Sequence, residues 1–159
     1  MSDPYDELIE GEICLRLPPG ARHEDICQRL HERISAAAAA VPVARLLSPR
    51  SAIQISRENK VCPDLAIITA ANNKLWLAAE VVNSGDHHPD TVLKKSLYEE
   101  IKIPRLWMID PRYDNVEVYH ASPYGLVLKT ILAGSEILSE KLLPEFQITI
   151  AELFQNKAN

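Results

Sequence analysis

The run LWLAAEVV, Leu75 to Val82, is apolar at every position but one, and that one is a carboxylate, Glu80. On an extended chain Trp76, Ala78, Glu80 and Val82 point one way, and Leu75, Leu77, Ala79 and Val81 the other. Apolar residues on both faces mark a strand that is covered on both sides, so the fold must place packing layers above and below a sheet. The segment PDLAIIT has the same character. It predicts a strand over Asp64–Thr69, joined to the first by a turn at Asn72-Asn73. Between such layers an unpartnered carboxylate would cost several kcal/mol. Glu80 therefore requires a cation, a strong hydrogen-bond donor or a water-filled cleft.

The rest of the chain supplies the layers. Tyr5–Ile9 and Glu12–Leu17 flank Glu10-Gly11, where the glycine can take positive φ, and read as a hairpin. Arg22 to Ala40 reads as a helix with Ile26, Leu30, Ile34 and Ala37 at helical spacing, and Pro42 limits its end. Ala52–Ile55 suggests a short strand. A second helix is expected from Pro89 or Asp90 to Lys102, with Leu93, Leu97 and Ile101 as its apolar stripe. Arg105–Ile109 is a further strand, closed by Asp110-Pro111. Val116–His120 and Leu126–Ile131 form a hairpin around Ser122-Pro123-Tyr124-Gly125. The tail gives a strand near Phe146–Ile150 and a last helical turn. This order predicts an α/β (α+β) fold: a mixed β-sheet flanked by helices, with an N-terminal β-hairpin. The 159 residues fit a single domain over 1–159.

Several function classes are disfavoured. No apolar run approaches the ~20 residues of a membrane span, and the acidic start MSDPYDELIEGE has no signal-peptide character. The expected location is the cytoplasm. Cys14, Cys27 and Cys62 match neither a zinc pattern nor a disulfide framework and read as reduced thiols. A net charge of −5 argues mildly against a generic nucleic-acid binder. It leaves room for a divalent-metal site or a local basic patch drawn from Arg16, Arg22, Lys94, Lys95, Lys102 and Arg105.

If the two apolar strands are neighbours, Asp64 at the start of one lies near Glu80 at the end of the other. Two carboxylates so placed can hold one hard divalent ion. Asp90, Lys94 and Tyr98 follow at spacings of four and stack along one stripe of the second helix. From the boundary of that helix Lys94 could snorkel toward Glu80, where an ammonium can orient water or stabilise the charge of phosphodiester hydrolysis. Plainer readings exist for each residue. Asp64 after Pro63 suits a turn. Glu80 could form a structural ion pair with Lys94 or Arg105. Lys94 alone resembles a solvated helix charge, Asp90 a helix-start acid, and Tyr98 a packed ring with a tethered hydroxyl.

As an ordered set, these segments resemble the bacterial Uma family, grouped with the restriction endonucleases of the PD-(D/E)XK nuclease superfamily. The resemblance runs through YDELIEGEI, the proline-rich LPPGARHEDICQRL with His23 at a helix start, and Pro63-Asp64-Leu65. It continues with Glu80-Val81 and Ser84, the D-x3-K-x3-Y helix of Asp90, Lys94 and Tyr98, the strand LWMIDP, and the ending LPEFQITIAELF. The resemblance implies a restriction endonuclease-like core, Asp64 and Glu80 as metal ligands, and Lys94 as the catalytic lysine. The superfamily's usual lysine position, two residues after the second acid, is Val82 here, so the lysine has moved to the following helix. Lys95 is off the Asp90–Tyr98 stripe. His23 matches a family position, with a helix-start hydrogen bond as its plainest role; Asp90 and Tyr98 are further supporting residues. The loop NSGDHHPD departs from the family's commoner pattern, and Asp86, His87 and His88 offer a transition-metal alternative to an ordinary polar loop.

The function so implied is a Mg²⁺-dependent endonuclease, with Mn²⁺ as a substitute, acting on DNA as a homodimer in a bacterial cytoplasm. The alternatives are a catalytically silent binding or regulatory protein linked to mobile elements, and a nuclease acting on RNA or branched DNA. Fold alone does not choose between them.

Overall fold

A computed structural model describes residues 3–83 and 89–156, with Pro89 and Asp90 described in their backbone alone. The chain runs through β1 (Tyr5–Ile9), β2 (Glu12–Arg16), α1 (Ala21–Ala38), β3 (Ala44–Leu46), β4 (Ile53–Ser56) and β5 (Asn59–Val61). It continues through β6 (Leu65–Thr69), β7 (Leu75–Val81), a π-helical turn over Pro89–Leu93, and α2 (Lys94–Glu100). The last part holds β8 (Arg105–Asp110), β9 (Asn115–Ser122), β10 (Gly125–Ala133), β11 (Ile137–Glu140), β12 (Leu143–Thr149) and α3 (Ile150–Leu153).

Six strands form the central sheet, in the order β10-β9-β8-β7-β6-β3. Only β7 and β8 run parallel; the other pairs are antiparallel. A parallel pair needs a crossover, and α2 lies on the connection. The doubly apolar β7 sits between β6 and β8, as its sequence requires. One sheet face carries Leu65, Ile67, Leu77, Ala79, Val81, Trp107 and Ile109. They pack on Ile26, Leu30 and Ile34 of α1 and on Phe146 and Ile148 of β12, with Trp107 stacked on Phe146 at 5.7 Å between ring centroids. The other face carries Ala78, Val82, Leu106 and Met108, packed on Leu97 and Tyr98 of α2 and on Ile9 and Val61. Those last two belong to a second sheet, β2-β1-β5-β4, which covers this side.

The mixed sheet, the flanking helices and the N-terminal hairpin all stand where the sequence puts them. Four particulars differ. The hairpin β1–β2 joins β4 and β5 in a four-stranded layer, and the short strands β3, β5 and β11 carry too few residues to show a period. The register slips between Ile67 and Ile68, so that Ile68 faces Leu75 and Trp76 is the extra residue. A bulge of this kind reverses the alternation: Leu75 joins the face of Ala78, and Trp76 the opposite face. The second helix begins as a π turn and ends at Glu100. Ile101 is thereby rotated out to 37% exposure, and the buried place it was expected to fill goes to Ile103. Cys14, Cys27 and Cys62 stand outside any disulfide, with Cys27 and Cys62 buried.

Candidate active site

Alternation along β7 sends the Glu80 side chain to the face of Ala78 and Val82, under α2. Helical spacing on α2 places Lys94 and Tyr98 on one side of that helix, where both are completely buried. The Lys94 ammonium lies 2.6 Å from Glu80 Oε1, and the Tyr98 hydroxyl donates to the same oxygen at 2.6 Å. Glu80 thus has both a cation and a donor. Lys94 neither snorkels nor lies in solvent: with no exposed surface, it is held by ion pairs on two sides. Burial, and then the charge of Glu80 and its hydrogen bond, raise the Tyr98 phenol well above its ordinary value, so Tyr98 acts as a donor.

The second partner of Lys94 was not anticipated. Glu7 Oε2 lies 2.7 Å from Nζ and also accepts the Cys62 amide at 2.8 Å. The other Glu7 oxygen pairs with Arg16. Both come from the N-terminal hairpin, and Arg16, expected to form part of a basic patch, is instead 5% exposed. The signal for Glu7 was the one read for Glu80. In Tyr5-Asp6-Glu7-Leu8-Ile9 the glutamate alternates with Tyr5 and Ile9, which face the core.

Asp64 stands just before β6, where Leu65 pairs with Ala79. Its Oδ2 accepts the Val81 amide at 2.8 Å, which ties it beside Glu80 on the neighbouring strand. Its Oδ1 receives Arg50 at 3.1 Å and lies 3.5 Å from His23 Nε2. Burial alone would raise this carboxyl. The His23 hydrogen bond and charge, the Val81 amide and the Lys94 cation outweigh burial and hold it at about 2. It is therefore ionised, and it is not a turn residue exposed to solvent. His23 does not make a helix-start bond. Its Nε2 lies 3.0 Å from the Val81 carbonyl, and burial, which would lower its pKa, is outweighed by Asp64, which raises it. Two turns along α1, His31 Nε2 meets the Asp64 carbonyl at 2.8 Å. One helix face thus grips the Asp64 segment at two points.

The ligand atoms of His23, Cys27 and Asp64 all lie within 4.8 Å of one another. That set could suggest a soft metal. Burial, and then the Asp64 charge, push the Cys27 thiol far above its ordinary value, so it rests as the neutral thiol. Of the other basic residues, Arg22 pairs with Asp114, Arg105 with Glu140 and not Glu80, and Lys95 lies over the Tyr119 ring. The Asp90 side chain and Ser84, Asp86, His87 and His88 lie outside the described residues. No described helix is long and apolar enough to cross a membrane.

Comparison with known proteins bears on the fold and the family. No curated protein matches the chain. Among solved structures, the chain is similar to a protein from Anabaena variabilis, titled "putative nuclease belonging to DUF820", with a TM-score of 0.79 at 16% identity. The similarity covers 96% of this chain and 91% of that one, and at such identity it establishes the fold. A sequence model of the family Uma2, described as "Putative restriction endonuclease", matches residues 2–151. With nearly its whole length so matched, the chain belongs to the Uma2 family.

Proposed function

We propose that the chain is a Mg²⁺-dependent endonuclease, with Mn²⁺ able to serve, that hydrolyses DNA phosphodiester bonds. In this reading Asp64 and Glu80 are the metal ligands and Lys94 is the catalytic lysine. The observation that carries it is Lys94: a lysine without exposed surface, 2.6 Å from Glu80, on a helix packed over β7, the strand that carries Glu80. The donor chemistry fits, because carboxylate oxygens are what Mg²⁺ and Mn²⁺ take. Bound there, the ion would polarise the phosphodiester and lower the pKa of its water. The Lys94 ammonium would face the charge that gathers on the phosphate oxygens. Tyr98 orients Glu80 through its hydroxyl, while His23 and the Val81 amide keep Asp64 ionised and fixed.

The chain is read as one domain over 1–159 acting in a bacterial cytoplasm. A homodimer would bring two such sites to the two strands of a duplex. Its interface is assigned to β2, an edge strand whose Ile13 and Leu15 are 74% and 63% exposed, because two copies of one edge can pair antiparallel about a twofold axis. A monomeric mass by sedimentation would count against it. The second reading, a silent binding or regulatory protein linked to mobile elements, draws on the net charge of −5 and on the pairing of Glu7, Asp64 and Glu80 with resident cations.

Plasmid nicking at low salt separates the two, since phosphate contacts weaken steeply with ionic strength. Wild type should nick supercoiled DNA in Mg²⁺ or Mn²⁺ and not in EDTA. Folded Glu80→Gln and Lys94→Met variants should be slower by at least about a hundredfold. Nicking that survives in EDTA or in both variants would overturn the proposal.

A further inference from the structure

Arg50 occupies a backbone conformation that its residue type resists. It sits in the Ser48–Ser51 turn directly after Pro49, with φ of +56°, where glycine or asparagine ordinarily stands. A side chain kept in the left-handed region costs about 1 kcal/mol or more. The turn is closed by Ser51 N and Oγ on the Ser48 carbonyl, and the Arg50 amide donates to the Pro63 carbonyl at 3.1 Å. The strained corner is thereby docked on the residue before Asp64. From it the guanidinium reaches Asp64 Oδ1 at 3.1 Å and Glu24 Oε1 at 2.7 Å.

Glu7 and Glu80 are met by Arg16 and Lys94, and Asp64 by Arg50 and His23. A divalent ion on Asp64 Oδ1 would meet the Arg50 guanidinium at close range, and like charges so placed repel unless the guanidinium withdraws. Arg16 and Lys94 are 5% and 0% exposed, and both are pinned by Glu7. Arg50 is on a loop, its side chain is 14% exposed, and its second acceptor, Glu24, is 36% exposed. It is the cation at the rim, and it covers an oxygen that the metal requires.

We propose that Arg50 is a substrate-phosphate residue: it guards Asp64 in the metal-free protein and turns to the DNA phosphodiester when metal takes its place. The consequence is that metal and DNA bind each other's complex more tightly than the free protein, since the phosphate accepts the displaced guanidinium. This rests on the nuclease reading above.

The test is Mn²⁺ binding to the intact chain, read from the electron-paramagnetic signal of free Mn²⁺, with and without a short phosphorothioate duplex that resists cleavage. For wild type the duplex should tighten Mn²⁺ at least about tenfold. Arg50→Met should bind Mn²⁺ at least about tenfold tighter than wild type without DNA, and should gain little from the duplex. Arg50→Gly keeps the left-handed corner unstrained. It should behave as Arg50→Met does, and it stands in if that variant folds poorly. Unchanged Mn²⁺ affinity in the folded variants, or an equal gain from the duplex in variants and wild type, overturns the role of Arg50. Asp64→Asn distinguishes the deeper failure: if it binds Mn²⁺ as wild type does, the metal site itself is misassigned and the proposal falls with it.

Discussion

Replacing Lys94 with methionine removes the ammonium that touches both Glu7 and Glu80. Their contacting oxygens lie 2.7 and 2.6 Å from Nζ, hence no more than about 5 Å from each other. At an effective dielectric of about 20, two bare charges at that separation repel by roughly 3 kcal/mol. Removal of one partner from a buried pair costs about 3–5 kcal/mol by general experience. Lys94→Met should therefore lose that much in urea denaturation, followed by the fluorescence of Trp76 and Trp107. The sharper expectation concerns a second change. Adding Glu80→Gln leaves Glu7 with Arg16 and the Cys62 amide, and leaves residue 80 an oxygen for the Tyr98 hydroxyl. The double variant should be more stable than Lys94→Met alone by about 2 kcal/mol, a coupling within the range seen for residues in one network. A single variant within 1 kcal/mol of wild type, or a double variant less stable than Lys94→Met, would refute the claim that this lysine is a buried counter-ion.

Tyr98→Phe removes a buried donor from a charged acceptor and should cost about 1.5–3 kcal/mol; a calorimetric melting point unchanged from wild type would show the hydroxyl to be idle. For Asp64 in chelated protein, the carboxyl is held at about 2 against an ordinary 3.8. A depressed acid adds stability that is fully present above 3.8 and is lost as pH falls through about 2, here about 2 kcal/mol. The gap in urea midpoint between wild type and Asp64→Asn should be widest above pH 3.8 and close toward pH 2, whereas a constant gap would contradict the assigned shift.

Periodicity and burial made the centre of this molecule legible. A carboxylate in an apolar strand must find a cation, and the D-x3-K-x3-Y spacing put Lys94 and Tyr98 on one helix side; the two statements meet in the observed contacts. The same rule applied to Glu7 would have found the third acid, but a five-residue hairpin strand at the chain start looks exposed until its partner sheet is known. Arg50 and His31 could not be read at all. Their contacts with Asp64 depend on how a turn and a helix face dock, and no local pattern encodes docking. Trp76 was placed on the wrong face because a bulge adds one residue without altering composition.

The Glu7–Lys94 pair also constrains how the chain is made. Glu7 leaves the ribosome well before the Cys62 amide that it accepts and the Lys94 ammonium that compensates it. Until they arrive, burial of Glu7 is unfavourable, so the hairpin docks only after these later segments have emerged. A nascent chain consequently carries no assembled centre until the segment through Tyr98 has emerged, and a prematurely released fragment would have both acids in water and nothing to hold them together.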